Sequence, residues 1–183
     1  ERPMRVNEIF YSLQGEGHYT GTPAVFVRFS GCNLSCDFCD TRHQSFTPMT
    51  EREIVDAVCA HPCRHVVITG GEPSLQLTGS LVEMLHDAGR YVQVETNGTG
   101  SLPPSVDWVT CSPKQGPYAL RRVDELKIVY TGQDVEALAA MFDARDYRLQ
   151  PCSNLNVAET VDYIKCHPHW SLSLQTHKLI DIP

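Results

Sequence analysis

Short apolar segments that alternate with amphipathic helices constrain the fold of this chain more than any other feature. Strands are predicted at residues 24–29, 65–69, 91–95, 108–111, 126–130, 147–150 and 171–175. Helices are predicted after the capping box of Thr50 and Glu53, and at residues 77–88, 134–142 and 157–166. Because such alternation is typical of right-handed βαβ units, it predicts a parallel sheet.

Two of the connections are too short to hold a full helix. Residues 98–107 carry two prolines, and residues 114–124 form a similarly short connection. We therefore predict an α/β fold, an incomplete parallel β/α barrel of about six strands, in one domain over residues 1–183. Ligands of such folds bind beyond the carboxyl ends of the strands.

Three cysteines lie together directly after the first predicted strand: Cys32, Cys36 and Cys39. A structural zinc site takes four protein ligands, and a cubane iron–sulfur cluster is usually held by four thiolates. Three local thiolates therefore indicate a cluster with one open iron, at which a small molecule can bind and react. This motif predicts an enzyme.

A structural zinc site is the alternative for this loop, because His43 would supply a fourth ligand. The strand before the loop and a glycine motif after the next strand favour the cluster. Cys59 and Cys63, which flank Pro62, are either incidental thiols or an auxiliary metal site.

The charge and composition argue against several other classes of protein. The net charge of −7 is unlike that of proteins that bind nucleic acid through general basic attraction. No apolar run approaches the roughly 18 residues of a membrane span, and the polar N-terminus has no signal-peptide pattern. Eight cysteines, three of them clustered, are typical of metal use in a reducing compartment, so we expect a cytoplasmic protein.

Polar motifs follow one predicted strand after another. Residues 70–73 read Gly-Gly-Glu-Pro, residues 96–98 read Thr-Asn-Gly, and residues 112–114 read Ser-Pro-Lys. Glycines allow a ligand to approach the backbone closely. Alone, the first of these motifs is equally typical of a tight turn, but their shared position at strand ends predicts one common site.

These motifs are similar to those of a known superfamily. The C-x3-C-x2-C spacing followed by Gly-Gly-Glu-Pro resembles the radical S-adenosylmethionine (SAM) enzymes. More narrowly, seven segments resemble the 7-carboxy-7-deazaguanine synthases: residues 13–17, 39–41, 69–73, 95–98, 112–114, 149–151 and 175–178. Gln-Gly-Glu-Gly at residues 14–17 and Gln-Thr-His-Lys at residues 175–178 are the most specific of them.

The resemblance implies a radical reaction on a pterin. In this family a [4Fe–4S] cluster binds SAM at its open iron, and one electron cleaves SAM to methionine and a 5′-deoxyadenosyl radical. The radical removes hydrogen from 6-carboxy-5,6,7,8-tetrahydropterin, and the ring contracts with loss of ammonia to give 7-carboxy-7-deazaguanine. In these lyases of queuosine and 7-deazapurine biosynthesis, SAM is regenerated and Mg²⁺ assists the rearrangement.

The same resemblance implies which residues bind each group, with no catalytic side chain because the radical is generated from SAM. Cys32, Cys36 and Cys39 hold the cluster, and Thr41 is the Mg²⁺ ligand. The SAM contacts are Phe38, Gly70, Gly71, Glu72, Glu95, Asn97, Ser112, Pro113, Lys114, Gln150, Pro151, Cys152 and Ser153. The pterin contacts are Leu13, Gln14, Gly15, Glu16, Arg28, Thr69, His177 and Pro183.

Three of these pterin contacts have a specific chemical reason or an ordinary alternative. Arg28 can grip the substrate carboxylate as a fork, and its alternative is a surface ion pair. His177 lies against the pterin in the family, whereas a lone histidine is more often an ordinary surface or core residue. The terminal carboxylate of Pro183 is expected to accept hydrogen bonds from the guanidine-like edge of the pterin.

The resemblance also implies partners. They are the small-molecule pterin, a flavodoxin or ferredoxin as electron donor, and a second copy of the chain in a homodimer; no nucleic acid or membrane partner is expected. Two alternatives stay open: a radical SAM activase that puts a glycyl radical on a partner protein, and a non-catalytic zinc module. An activase needs a groove for a polypeptide, whereas Gln14, Glu16 and His177 indicate a small polar pocket.

Overall fold

A nine-stranded sheet runs through the part of the chain that the computed structural model describes, residues 2–33 and 45–183. Its strands are β1 (Met4–Leu13), β2 (Pro23–Phe29), β3 (Thr47–Met49), β4 (His65–Thr69), β5 (Tyr91–Thr96), β6 (Trp108–Cys111), β7 (Arg122–Tyr130), β8 (Asp143–Pro151) and β9 (Ser171–Leu172). The helices are α1 (Glu51–Cys59), α2 (Gly79–Asp87), α3 (Val135–Ala139), α4 (Val157–Cys166) and α5 (Thr176–Leu179).

The strand order is β3-β1-β2-β4-β5-β6-β7-β8-β9. From β2 through β4 to β9 each strand runs parallel to its neighbour, whereas β1 pairs antiparallel with both β2 and β3. Among the described residues, β3 and β9 are the two edges of the sheet, so the barrel is not closed. The prediction of an incomplete, mostly parallel β/α barrel is confirmed.

The sequence pattern missed the two antiparallel strands. β1 mixes Asn7 and Glu8 with apolar residues, and β3 is only three residues long, so neither forms an apolar run. β7 and β8 begin at Arg122 and Asp143 rather than at residues 126 and 147, because paired, exposed charged residues extend them. The last predicted strand shrinks to β9, and the chain then enters α5.

The short connections behave as predicted. Residues 97–107 and 112–121, which the structure describes throughout, contain no helix. The predicted capping box is also present at the start of α1: Thr50 Oγ1 accepts from the N–H of Glu53 at 3.2 Å, and Glu53 Oε2 accepts from the N–H of Thr50 at 2.8 Å. In residues 2–33 and 45–183, none of the helices combines the length and apolar character that a bilayer crossing requires.

Helices α1 to α4 cover one face of the sheet, where the apolar core lies. Buried side chains of α1 and α2, such as Ile54 and Leu85, pack with residues of β2, β4 and β5. A second cluster joins Leu126 and Ile128 of β7 with residues of α3 and with Trp170. Because side chains alternate along a strand, the opposite face receives Thr69, Glu95, Lys127 and other polar residues.

The loop between β1 and β2 folds against this polar face at Glu125. The main-chain N–H of His18 donates to Glu125 Oε2 at 2.8 Å, and the Glu125 side chain is fully buried. Gly17 has a φ of +69°, and a Cβ added there would lie 2.1 Å from the same oxygen. Glycine is therefore required at this position both by the backbone conformation and by the close approach.

Replacing Gly17 by alanine should destabilise the protein more than the same change at Gly21. Both glycines have a positive φ, but no atom lies within 4 Å of a Cβ added at Gly21. Gly21→Ala therefore measures backbone strain alone, which we expect to lower the melting temperature by roughly 2–8 °C. Gly17→Ala adds the collision with Glu125 and should lower it further. Equal losses in thermal unfolding would contradict a tight contact with Glu125.

Candidate active site

The start of the cysteine loop lies directly against the glycine motif that follows β4. The N–H of Glu72 donates to the carbonyl oxygen of Gly31 at 2.8 Å. A Cβ added at Gly71 would lie 2.2 Å from that oxygen, so only glycine permits this approach. Cys32, the next residue after Gly31, is half-buried. The first cysteine of the motif is therefore held beside the glycine motif.

The remaining residues of the cysteine loop lie outside the described part of the chain. Cys36, Phe38, Cys39 and Thr41 all fall within residues 34–44, as does His43. Among the described residues, no group of three or more His, Cys, Asp or Glu side chains is placed to hold a metal ion. The cluster, magnesium and zinc ligands therefore stay predictions from the sequence.

Cys59 and Cys63 do not form part of such a group within the described residues. Cys59 is exposed, whereas Cys63 is buried and donates through Sγ to the carbonyl oxygen of His65 at 3.5 Å. This arrangement supports the interpretation of incidental thiols.

Glu72 fastens the glycine motif to the end of β5. Its side chain is 1% exposed, and its carboxylate accepts from Thr96 Oγ1 at 2.7 Å and from the N–H of Asn97 at 2.8 Å. The N–H and the hydroxyl of Ser74 donate to the same carboxylate. Because these donors occupy both oxygens, the carboxylate of Glu72 holds the two loops together.

Asn33, Asn97 and Thr99 connect the end of β5 with the cysteine loop. Asn97 Nδ2 donates to Asn33 Oδ1 at 3.1 Å, and Asn33 Nδ2 donates to Thr99 Oγ1 at 2.9 Å. Asn97 Oδ1 accepts from the N–H and the hydroxyl of Thr99 at 3.1 and 2.6 Å. The Thr-Asn-Gly motif therefore positions the residue that follows Cys32.

Of the other predicted SAM segments, residues 112–114 follow β6, and residues 150–153 cover the end of β8 and the two residues after it. The N–H of Ser112 donates to the carbonyl oxygen of Thr96 at 2.8 Å, and Lys114 Nζ donates to the carbonyl oxygen of Ser112 at 3.0 Å. The described SAM candidates thus gather at the carboxyl edge of the sheet. They are Gly70, Gly71, Glu72, Glu95, Asn97, Ser112, Pro113, Lys114, Gln150, Pro151, Cys152 and Ser153.

A cavity of about 130 Å³ contains all eight predicted pterin contacts in its lining: Leu13, Gln14, Gly15, Glu16, Arg28, Thr69, His177 and Pro183. Phe10, Phe26, Glu95 and Gln175 complete the lining. Sequence reasoning missed Phe10, Phe26 and Gln175, and it assigned Glu95 to SAM. The structure brings the eight residues together from distant parts of the chain, and their contact with a substrate stays a prediction.

The walls of this cavity are built by close packing. The rings of Phe10 and Phe26 stack with centroids 4.9 Å apart and an angle of 5°, which gives one flat apolar wall. On another side, a Cβ added at Gly15 would lie 2.1 Å from His177 Nδ1. The N–H of Thr176 donates to the carbonyl oxygen of Gly15 at 2.9 Å, so α5 is fixed against this glycine.

Arg28 forms an ion pair, which the sequence analysis gave as the alternative to binding the substrate carboxylate. It also lines the cavity. Its Nε lies 3.0 Å from Glu8 Oε1, and its Nη1 donates to the carbonyl oxygen of Gly70 at 3.4 Å. The Glu8 side chain is 50% exposed, and pairs of this kind contribute little stability. Arg28 therefore lies at the cavity with its guanidinium between Glu8 and the glycine motif.

Two cavity carboxylates meet a buried lysine that sequence reasoning missed. Lys127 Nζ lies 3.7 Å from Glu16 Oε1 and 3.7 Å from Glu95 Oε1. Gln150 Nε2 donates to Glu16 Oε1 at 2.5 Å, and Gln14 Nε2 donates to Glu95 Oε1 at 3.1 Å. A lysine inside the apolar segment 126–130 was the signal that could have revealed it.

The charges of this cluster stabilise one another. Burial alone would lower the pKa of Lys127, but the charges of Glu16, Glu95 and Glu125 outweigh it and hold that pKa above its ordinary value. Burial alone would raise the pKa of Glu16. The positive charge of Lys127 and the hydrogen bond from Gln150 outweigh that effect and bring the pKa below its ordinary value.

A second cavity of about 430 Å³ lies at the opposite, amino-terminal ends of β4 and β5. Its lining includes Tyr11, Tyr19, Arg64, His65 and Tyr91, and none of the predicted site residues. Ligands of parallel β/α folds bind at the carboxyl ends of strands. The smaller, polar cavity is therefore the candidate active site.

Comparisons with known proteins identify the family of this chain. The model of the Radical SAM superfamily matches residues 26–146. The chain is 59% identical over 179 residues to the 7-carboxy-7-deazaguanine synthase of Bacteroides thetaiotaomicron, covering 97% of this chain and 98% of that protein. It is 41% identical over 209 residues to the synthase of Burkholderia multivorans, with 97% and 98% covered.

A solved structure shows the same similarity in three dimensions. The crystal structure of QueE from Escherichia coli matches with a TM-score of 0.83 and 31% sequence identity. The match covers 95% of this chain and 94% of that one. The chain therefore belongs to the 7-carboxy-7-deazaguanine synthase family of the radical SAM superfamily.

Proposed function

We propose that this chain converts 6-carboxy-5,6,7,8-tetrahydropterin to 7-carboxy-7-deazaguanine with loss of ammonia, in queuosine and 7-deazapurine biosynthesis. One observation carries this proposal. In a chain that belongs to the synthase family, a single cavity at the carboxyl edge of the sheet is lined by all eight residues expected to contact the pterin.

A [4Fe–4S] cluster and SAM are the cofactors of this radical SAM lyase. When bound, they supply the 5′-deoxyadenosyl radical that removes a hydrogen atom from the substrate. Cys32, Cys36 and Cys39 would hold the cluster, since three thiolates in one loop are a donor set that suits iron. The close contact between Gly71 and Gly31 supports a SAM site beside that loop, because it brings the glycine motif next to Cys32.

The cavity residues bind and orient the pterin. Arg28 donates to the substrate carboxylate, while the carboxylates of Glu16 and Glu95 accept from ring N–H groups. The stacked rings of Phe10 and Phe26 exclude water from one side. Leu13, Gln14, Gly15, Thr69, His177 and Pro183 supply the remaining contacts. In the loop outside the described residues, Thr41 offers an oxygen of the type that Mg²⁺ prefers.

The size of the cavity favours this function over the activase alternative. A volume of about 130 Å³ bounded by Leu13, Phe26 and His177 suits a small molecule, not a polypeptide segment. The family assignment likewise favours the cluster over a non-catalytic zinc site.

We further propose a cytoplasmic enzyme that receives electrons from a flavodoxin or ferredoxin and works as a homodimer. Six cysteines of the described residues are outside disulfides, which supports a reducing compartment. The donor and the dimer follow from the resemblance to the family. Light scattering of the reconstituted protein measures its molar mass in solution. A monomeric mass at working concentration would contradict the homodimer.

Product analysis tests the proposed reaction. After anaerobic reconstitution with iron and sulfide, the protein should turn brown and, with SAM, a reductant and the carboxytetrahydropterin, form 7-carboxy-7-deazaguanine. Mass spectrometry of the products measures this. Cleavage of SAM without deazaguanine would favour an activase, and a colourless protein that retains one zinc ion would favour the zinc module.

Replacing Cys32 by alanine should abolish SAM cleavage, because the cluster loses a thiolate that the chain cannot replace. Iron content and the release of 5′-deoxyadenosine measure the effect. Cys166→Ala is the matched control, since Cys166 is an exposed thiol at the end of α4 and should leave both quantities unchanged. Ordinary turnover by Cys32→Ala would contradict the cluster assignment.

Replacing Gly15 by alanine should raise the KM for the pterin about tenfold or more, because the new Cβ collides with His177 and displaces a cavity wall. The slow cleavage of SAM without substrate should persist, since Gly15 lies outside the SAM segments. Gly79→Ala is the control, because its nearest neighbour, Pro103 Cβ, lies 4.0 Å away. An unchanged KM in Gly15→Ala would remove His177 from the substrate site.

A further inference from the structure

Lys127 lies below the candidate active site and contributes no atom to the cavity lining. It is 5% exposed, and among the described residues it is the lysine that the fold buries. A buried ammonium is costly unless it is paired. The groups that face Lys127 therefore indicate why the fold keeps it there.

Lys127 contacts the same oxygen atom, Oε1, of both Glu16 and Glu95. The side-chain amides of Gln150 and Gln14 donate to these same two oxygens. The other oxygens are less engaged: Glu95 Oε2 accepts from the Thr69 hydroxyl at 3.4 Å, and no donor within the described residues is recorded at Glu16 Oε2. One oxygen of each carboxylate is thus fixed toward Lys127.

Both carboxylates also line the cavity. Burial alone would raise the pKa of Glu16, but the charge of Lys127 and the hydrogen bond from Gln150 hold it below its ordinary value. A protonated carboxyl group would offer a hydrogen-bond donor, whereas an ionised one only accepts. An ionised Glu16 is therefore suited to accept from N–H groups of a substrate.

We propose that Lys127 is a positioning residue for substrate recognition, which fixes one oxygen of Glu16 and one oxygen of Glu95 so that the other oxygen of each is available to accept from N–H groups of the pterin. This inference rests on the proposed function. Glu125, on the same strand, accepts from the N–H of His18, the hydroxyl of Thr110 and the indole N–H of Trp108. Glu125 lies outside the cavity lining, and its effect on Lys127 is that of a nearby negative charge.

Other charged groups also face this cluster, and they must be held constant in a test. His177 and Lys178 of α5 act on Glu16, and Arg28 of β2 lines the same cavity. Measurements between pH 7 and pH 8.5 keep ordinary histidines largely neutral and lysines and arginines charged. Because His177 also lines the cavity, the difference in Kd between Lys127→Met and the wild type at each pH is the quantity that reports on the change at Lys127.

Lys127→Met in the reconstituted holoenzyme tests the proposal, with Lys127→Arg as the conservative variant and Lys165→Met as a surface control on α4. Calorimetric titration with the carboxytetrahydropterin, anaerobically and without reductant, gives the Kd. We expect Lys127→Met to raise the Kd about tenfold or more at pH 7, with part of the affinity recovering as pH rises and Glu16 ionises, because Lys127 no longer holds its pKa down. The wild type and Lys165→Met should show the same pH profile as each other, without this recovery, and Lys127→Arg should restore much of the affinity.

The iron content of the same reconstituted variants separates recognition from general damage. It should stay unchanged in Lys127→Met, because the ion pairs of Lys127 are with Glu16 and Glu95 and not with the cysteine loop. If Lys127→Met does not fold, adding Glu125→Gln removes one buried negative charge, and the double variant undergoes the same titration. A folded variant with the wild-type Kd and pH profile would overturn the role of Lys127. Failure of the wild type to bind the pterin would instead overturn the proposed function.

Discussion

The two-residue period of the β-strand is the constraint on which the rest of this structure depends. In β7, Leu126 and Ile128 pack in the core, so Glu125 and Lys127, which alternate with them along the strand, must point to the other face. The same alternation places Thr69 and Glu95 on that face in β4 and β5. An apolar core on one side of the sheet therefore creates a polar interior on the other, and the active site uses that interior.

A polar interior is stable only if its charges compensate one another. Lys127 lies between carboxylates from the β1–β2 loop, β5 and β7, and the amides of Gln14 and Gln150 donate to the same oxygens of Glu95 and Glu16 that Lys127 contacts. The arrangement that makes burial tolerable also fixes two carboxylates at the cavity. Stability and the proposed recognition of the substrate therefore depend on the same contacts.

Three glycines allow the loops around the site to approach more closely than any side chain permits. Gly71 contacts Gly31, Gly15 contacts His177, and Gly17 contacts Glu125. Each contact joins segments that are distant in sequence: the glycine motif to the cysteine loop, and the loop after β1 to α5 and to β7. The geometry of the site therefore follows from missing Cβ atoms as much as from functional groups.

The sequence alone determined the alternation of strands and helices, the short crossovers and the cysteine motif, because these depend on local periodicity and spacing. Its resemblance to the family also named eight residues that line one cavity, because the family's motifs are recognisable in the sequence. It did not reveal β1, whose mixed residues become a strand only by pairing with β2 and β3. Nor did it reveal that Glu95 lines the pterin cavity or that Lys127 supports it. These facts were decided by tertiary structure, because they depend on which residues of neighbouring strands share a face, and local sequence carries no measure of that register.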